Sequence, residues 1–309
     1  MQQAPGAAVS RDGTPFRVRA PAKVNLGLEV LGRRADGYHE LVTIVQAVAL
    51  YDTIVVAPAV APAADLTLRA DPSLGGEANL ALRAARALAA RCGVEGRGAA
   101  LTLTKGIPVA AGLGGGSSDA AATLHGLCRL WGLALPEDEL AALAAGLGAD
   151  VPFFLRGGTA LATGIGERLT PLAPPAPTWF VLLTPPLPPS PDKTRRLYAA
   201  LAAGDWSDGA RTRRQAERLG RGEPLDPALL VNAFAGPLAR LFPELAEWRA
   251  RFLGAGAPWV LPSGSGPTLF TAVPTAAAGR RIARALASGG ARVHVVPAAD
   301  PESRACDGR

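Results

Sequence analysis

Cysteine is scarce in this chain. Cys92, Cys128 and Cys306 are dispersed over 309 positions, and no two of them form a C-x-x-C pair. An odd, scattered set suggests neither a disulfide framework nor a structural zinc site. Long apolar runs are also missing, and no uninterrupted stretch approaches the length of a membrane span. The first twenty residues carry Arg11, Asp12, Arg17 and Arg19 with nothing like the apolar core of a signal peptide, so a cytoplasmic location and no membrane partner are expected. Acidic residues number 26 against 32 basic ones, which leaves a net charge of +6. That balance favours anionic ligands. An arginine-rich compositional bias explains it equally well, so charge alone assigns no partner.

What remains describes a globular protein of more than one unit. Hydrophobic residues make up 49% and charged residues 19%, which excludes a disordered chain. The length suggests two domains with a substantial core. "FRVRAPAKVNLGLEVLG" and "HELVTIVQAVALYDTIVVAP" alternate apolar and polar residues with β-branched enrichment and read as strands. "NLALRAARALAARCG" has helical spacing, with Asn79 as a cap and Gly93 past its end. "AALTLTKGIP" is a further strand. "SDAAATLHGLCRLWGL" and "PEDELAALAAGLG" read as helices, the second with Pro136 at its start and acids in its first turn. From 171 to 191 the chain turns proline-rich around one short strand, "TWFVLLT", which places a boundary near 170 and gives units 1–170 and 171–309. The second unit mixes helices, among them "PLARLFPELAEWRARFLG" and "AAGRRIARALASGG", with the strands "PTLFTAV" and "ARVHVVP". The class is α+β.

"IPVAAGLGGGSSDAAATL" carries the chemistry. Four of the five positions Gly112, Leu113, Gly114, Gly115 and Gly116 are glycine, followed by Ser117 and Ser118. Glycine permits φ > 0 and close backbone approach, and the helix behind it offers free N–H groups and a positive dipole end. A strand–glycine–helix passage of this kind cradles phosphate, and its serine hydroxyls can serve phosphate or Mg²⁺. It is neither of the two commonest phosphate loops. The P-loop lysine is absent, and Ser117 stands where the dinucleotide fingerprint needs its third glycine.

"PAKVNLGLEVLGRRADGYHEL" (21 to 41), "IPVAAGLGGGSSDAA" (107 to 121) and "PSGSGPTLF" (262 to 270) resemble, in order, the three motifs of the galactokinase, homoserine kinase, mevalonate kinase and phosphomevalonate kinase superfamily. "RADGYHEL" and "LGADVPFFLRGGTALATGIGE" resemble the branch whose substrate is 4-diphosphocytidyl-2-C-methyl-D-erythritol, and the likeness runs from about Arg19 to Val296. The resemblance implies an N-terminal ribosomal-protein-S5-like domain and a C-terminal ferredoxin-like domain with the active site in the cleft between them. It implies ATP and Mg²⁺ as cofactors and transfer of the γ-phosphoryl group to a small-molecule alcohol, the 2-hydroxyl of the methylerythritol.

Residue by residue, the resemblance makes Asp150 the acceptor of the hydroxyl proton and Lys23 the cation that holds it ionised. From the residues alone, Asp150 reads as the end of a helix, where a carboxylate opposes the dipole and needs a compensating cation. Tyr38 and Tyr198 match aromatics that stack on the cytosine ring, and His39 matches a reader of its polar edge. Asn25 and Thr194 match contacts to the substrate's polar groups. Asn79 and Lys105 match positions near the adenine, and Gly112 to Ser118 the phosphate cradle. The resemblance identifies no metal ligands. Ala233 and Ala235 of "VNAFAGP" stand where relatives often carry acids, so no acid role is assigned there.

Two other readings compete. A superfamily kinase for another small alcohol would have no use for "GYHEL" and Tyr198. A nucleic-acid-binding module would rest on the arginine cluster 211–221, yet that cluster holds no tyrosine or tryptophan to interleave. A solvated helix face explains the cluster better, and a connecting loop explains "PPLPPSP" better than a peptide ligand does. No nucleic-acid partner is expected, and the oligomeric expectation is a monomer or weak homodimer.

Overall fold

The computed structural model describes residues 14–59, 66–74, 76–176, 178–188, 190 and 192–299. Cys306, Arg11 and Asp12 lie outside them, as do Pro189 and Pro191 of the proline-rich stretch. Two β-sheets with helices on their outer faces form an α+β fold.

Strands β1 (Phe16–Arg33) and β2 (His39–Pro58) form one long antiparallel hairpin. The first half of β2 pairs with β5 (Thr159–Gly164), and its second half pairs with β4 (Ala99–Thr104). Beyond these lie β3 (Leu66–Arg69), parallel to β4, and β6 (Arg168–Leu172), antiparallel to β5. The boundary expected at 170/171 falls inside β6. Helices α1 (Leu80–Cys92), α2 (Gly115–Trp131), α3 (Glu137–Leu147) and α4 (Val151–Arg156) belong to this half. The helix α1 has the predicted ends. Asn79 accepts from the Ala81 amide, and Gly93 closes the helix at φ +62°.

The second sheet has the order β10 (Arg292–Pro297), β7 (Trp179–Thr184), β9 (Leu269–Val273), β8 (Leu261–Pro262). Around it lie α5 (Lys193–Ala199), α6 (Ala210–Gly220), α7 (Ala235–Leu241), α8 (Glu244–Gly254) and α9 (Ala276–Ala285). "PLARLFPELAEWRARFLG", read above as one helix, is two, because Pro243 cannot continue the first. In α6 Thr212, Gln215, Ala216 and Leu219 are buried, Arg211, Arg213 and Arg214 are exposed, and Arg218 is half-buried and pairs with Glu223.

The core falls into layers, and this layering sets the site. Phe16, Val18 and Ala20 of β1 pack toward Leu88, Leu124 and Phe154 of the first half's helices. At the register shift between Pro21 and Ala22 the strand changes sides. Ala22, Val24 and Leu26 then pack with Phe180, Leu182 and Phe270 of the second sheet. Burying each such large side chain contributes about 1.5–3 kcal/mol. Lys23 and Asn25, at the alternate positions, are thereby left facing the cleft between the halves. Backbone bonds lock the halves together: the Ala299 amide donates to Ala47 at 2.8 Å, and the Ala233 amide donates to Leu28 at 2.9 Å.

Candidate active site

The cleft has a volume of about 1770 Å³, and every residue assigned above to the site except Ser118 lines it. The Lys23 side chain is 6% exposed, and its Nζ lies 3.6 Å from Oδ2 of Asp150, whose side chain is 43% exposed. Nζ also donates to Asn25 Oδ1 at 2.8 Å. Asn25 Nδ2 donates to Thr43 Oγ1 at 2.9 Å, and that hydroxyl donates to the Gly27 carbonyl at 2.6 Å. This relay fixes the Lys23 ammonium and occupies much of Asn25's own bonding capacity. One expectation is corrected here. Asp150 does not end a helix: α3 stops at Leu147, and Asp150 immediately precedes α4, so the dipole favours its carboxylate instead of opposing it.

The glycine run performs three separate tasks. Gly112, at φ +81°, lies against the 263–266 loop, where a β-carbon would come 2.1 Å from the Ser263 carbonyl oxygen. Gly114, at φ +71°, caps α2 without any side-chain bond, so the first-turn N–H groups keep no side-chain partner there. A β-carbon on Gly114 would strike Phe154 and Lys23. Gly115 is the first helical residue and sits over Lys105, Asp52 and Ile107, while Gly116 is roomier. Leu113 is buried, and its carbonyl accepts from the Lys23 amide at 3.0 Å, which ties the loop to β1. Ser117 faces the cleft. Ser118 is buried with its hydroxyl unpartnered.

Below the loop lies an ionic cluster that the sequence reading missed. Fully buried Asp52 accepts from the amides of Gly106 at 2.7 Å and Ile107 at 2.8 Å, and it pairs with Lys105. Lys105 Nζ also donates to Asp119 Oδ2 at 2.7 Å. Burial alone would lower the Lys105 pKa, but the Asp119 and Asp52 charges override it and raise the pKa. Burial pushes the Asp119 carboxyl up to about 7, and its Oδ1 has no partner. Lys105 is thus committed to two carboxylates. Asn79 is similarly engaged, since it caps α1 and its Nδ2 donates to the Leu74 carbonyl at 2.6 Å.

At the other end of the cleft, His39 stacks on Tyr198 with ring centroids 4.8 Å apart, and Tyr198 meets Phe234 edge-on at 4.9 Å. Burial, with help from Arg33, lowers the His39 pKa, so the ring is neutral at pH 7. Burial and the Asp150 charge push the Tyr198 phenol up to about 12. Tyr38 is 61% exposed and makes no ring contact with Tyr198 among the described residues. Thr194 Oγ1 donates to Ser265 Oγ at 3.1 Å. The "PSGSGP" loop that presents Ser265 is held from behind by Asn232, which donates to the carbonyls of Pro262 and Gly264. Asn232 was legible only as part of "VNAFAGP".

Comparison with known proteins agrees with this geometry. The model of the GHMP kinases N terminal domain matches residues 79–158, and that of the GHMP kinases C terminal domain matches residues 197–292. The chain is 42% identical over 283 residues to a 4-diphosphocytidyl-2-C-methyl-D-erythritol kinase of Dehalococcoides mccartyi, covering 91% of this chain and 98% of that protein. It is 43% identical over 269 residues to the protein of that name from Shouchella clausii, covering 82% and 84%. A crystal structure of 4-(cytidine 5'-diphospho)-2C-methyl-D-erythritol kinase superposes with a TM-score of 0.77 at 41% identity, over 92% of this chain and 99% of that one. Homoserine kinase from Cytophaga hutchinsonii, at 19% identity and TM-score 0.69 over 95% and 97%, shares the fold. Cleft, motifs and likeness agree: this chain belongs to the 4-diphosphocytidyl-2-C-methyl-D-erythritol kinase family of the GHMP kinases.

Proposed function

We propose that this protein transfers the γ-phosphoryl group of ATP to the 2-hydroxyl of 4-diphosphocytidyl-2-C-methyl-D-erythritol, a step toward isoprenoid precursors by the non-mevalonate route. One observation carries the reading. The side-chain-free N-terminus of α2 and the Lys23–Asp150 pair face a single cleft, with a stacked aromatic site at its far end.

The triphosphate would lie on the glycine loop, where backbone N–H groups and the dipole of α2 meet its oxygens. The hydroxyl would approach the γ-phosphorus in line, with Asp150 accepting its proton as the new O–P bond forms and the bond to the β-phosphate oxygen breaks. ADP leaves. Lys23 offsets negative charge on the transferring group, and its relay through Asn25 and Thr43 spares it reorientation during the step. Among the described residues no cluster of three or more acidic, histidine or cysteine side chains could hold a metal by itself. Asp119, whose Oδ1 is unpartnered, fits a Mg²⁺ ion that takes its remaining ligands from phosphate and water. Bound there, the ion would neutralise phosphate charge.

The test is ADP release measured in a coupled assay with the cytidylated alcohol, mevalonate and homoserine side by side. Turnover with the cytidylated substrate alone is the expected result. Comparable kcat/KM with either of the other alcohols overturns the assignment.

A further inference from the structure

Lys193 begins α5 at the point where both halves of the molecule meet the cleft. Its ammonium is buried and donates to the Ala110 carbonyl at 2.6 Å and to the Gly266 carbonyl. The first acceptor belongs to the phosphate loop and the second to the loop between β8 and β9. An ammonium carries three N–H donors. Two are accounted for.

The other lysines of the site, buried Lys23 and half-buried Lys105, show what is missing. Lys23 has Asp150, and Lys105 has both Asp52 and Asp119. Among the described residues no carboxylate lies within ion-pair distance of Lys193; its partners are two neutral carbonyls. Burial first and the repulsive Lys23 charge second lower its pKa to about 8. A buried cation that faces another cation and has no counter-charge is costly, and charges in protein interiors are ordinarily paired. A simple strut between two loops would not need this residue, since a neutral amide donates two N–H bonds without the cost of burying charge. The position makes sense if the missing anion arrives with a ligand.

We propose that Lys193 binds a phosphate oxygen of a ligand in the cleft, using its third N–H and balancing its charge there. The inference rests on the kinase reading above and adds a phosphate-binding cation from the second half of the chain. The phosphate chemistry has two sources, the triphosphate of ATP and the diphosphate of the cytidylated substrate. Thr194 and Tyr198 on the same helix adjoin the second source, while Ala110 in the glycine loop adjoins the first.

The experiment is equilibrium binding by calorimetry of ATP, CDP and phosphate-free cytidine to the wild type, Lys193→Met and Lys193→Gln. The glutamine variant keeps N–H donors for the two carbonyls, so it isolates the charge even if the methionine variant unfolds. Loss of a charged hydrogen bond predicts weakening on the order of 10- to 100-fold for a phosphate-bearing ligand, with cytidine affinity unchanged. Weakening confined to ATP assigns Lys193 to the triphosphate, and weakening confined to CDP assigns it to the substrate diphosphate. A Lys193→Gln protein with wild-type unfolding and wild-type affinity for both nucleotides reduces Lys193 to a strut and overturns the proposal. Equal weakening of cytidine also overturns it, as distortion of the cleft. Wild-type protein that binds neither nucleotide instead defeats the kinase reading itself.

Discussion

Asp150 illustrates how much a single residue's meaning depends on its surroundings. It lies 3.6 Å from a buried ammonium, precedes a helix and remains open to the cleft. These are the conditions for a carboxylate that receives a proton and passes it to solvent. Asp150→Asn keeps the shape and removes the acceptor. Turnover should fall on the order of a hundredfold to ten-thousandfold while ATP affinity stays within a factor of a few. A variant with near wild-type kcat in single-turnover measurement would disqualify Asp150 as the base. His39 is the second such case. A neutral imidazole keeps one acceptor nitrogen, which can take a hydrogen bond from the amino group of cytosine, a donor that uracil lacks. Because its pKa is lowered below 6.5, the acceptor survives mild acid. The KM for the cytidylated substrate should therefore stay flat from pH 8 to about 6.5 and rise only below the depressed value. His39→Ala should remove that rise and narrow the preference for the cytidine substrate over its uridine analogue. An unchanged cytidine-to-uridine ratio of kcat/KM rejects the role. Tyr38→Ala, which removes a stacking face worth about 1–3 kcal/mol, should raise that KM without moving the KM for ATP.

At the scale of the element, the phosphate loop and α2 act as one device. A helix start without a side-chain cap is ordinarily a defect, because first-turn N–H groups lose a partner. Here Gly114 offers them no side-chain cap, which leaves them open to the phosphate binding proposed above. Gly114→Val places a β-branched residue at φ +71°, which costs about 1–3 kcal/mol in backbone strain alone, and drives its β-carbon into Phe154 and Lys23. Loss of ATP affinity by at least about tenfold is expected in calorimetry, with a lowered unfolding midpoint. Unchanged affinity in a folded variant would make the loop a mere connector. The cluster under this loop has a mechanical part as well: Asp52 holds the Gly106 and Ile107 amides and so sets where the loop leaves β4.

Across the whole molecule, the proposed catalysis depends on the two sheets and two glycine loops staying in register. Gly112 lies directly against Ser263, whose hydroxyl donates to the Gly112 carbonyl at 3.0 Å. Gly112→Ala would place a methyl group 2.1 Å from one backbone oxygen and 2.8 Å from the Gly266 nitrogen, and neither can rotate away. The loops must part. The unfolding midpoint should drop by more than about 5 °C, and kcat should fall with it, because Lys193 bridges the same two loops. Gly93→Ala is the control. It has a similar positive φ with nothing near the added methyl group, so only the local strain of about 1 kcal/mol remains. Equal losses in the two variants would show that the contact between the loops carries no special weight.

The sequence by itself determined the local and the ordered. Alternation marked β1 and β2, Asn79 and Gly93 marked both ends of α1, and the glycine run announced an uncapped helix start, because each signal is written in neighbouring residues. The order of three motifs also pointed to the kinase superfamily. Tertiary structure decided the rest. Asp150 was misplaced because a six-residue helix carrying Pro152 emits too little periodicity to be seen. The Asp52–Lys105–Asp119 cluster escaped because its bonds span 53 and 14 positions. Lys193 escaped because its acceptors are backbone carbonyls 83 and 73 residues away, and a carbonyl has no residue signature. Which side of β1 Lys23 occupies was likewise undecided, since a register shift settles it only when the second sheet packs against Ala22, Val24 and Leu26. Spacing along a chain encodes which face of an element is apolar; which charges meet across a cleft depends on how the elements close over one another.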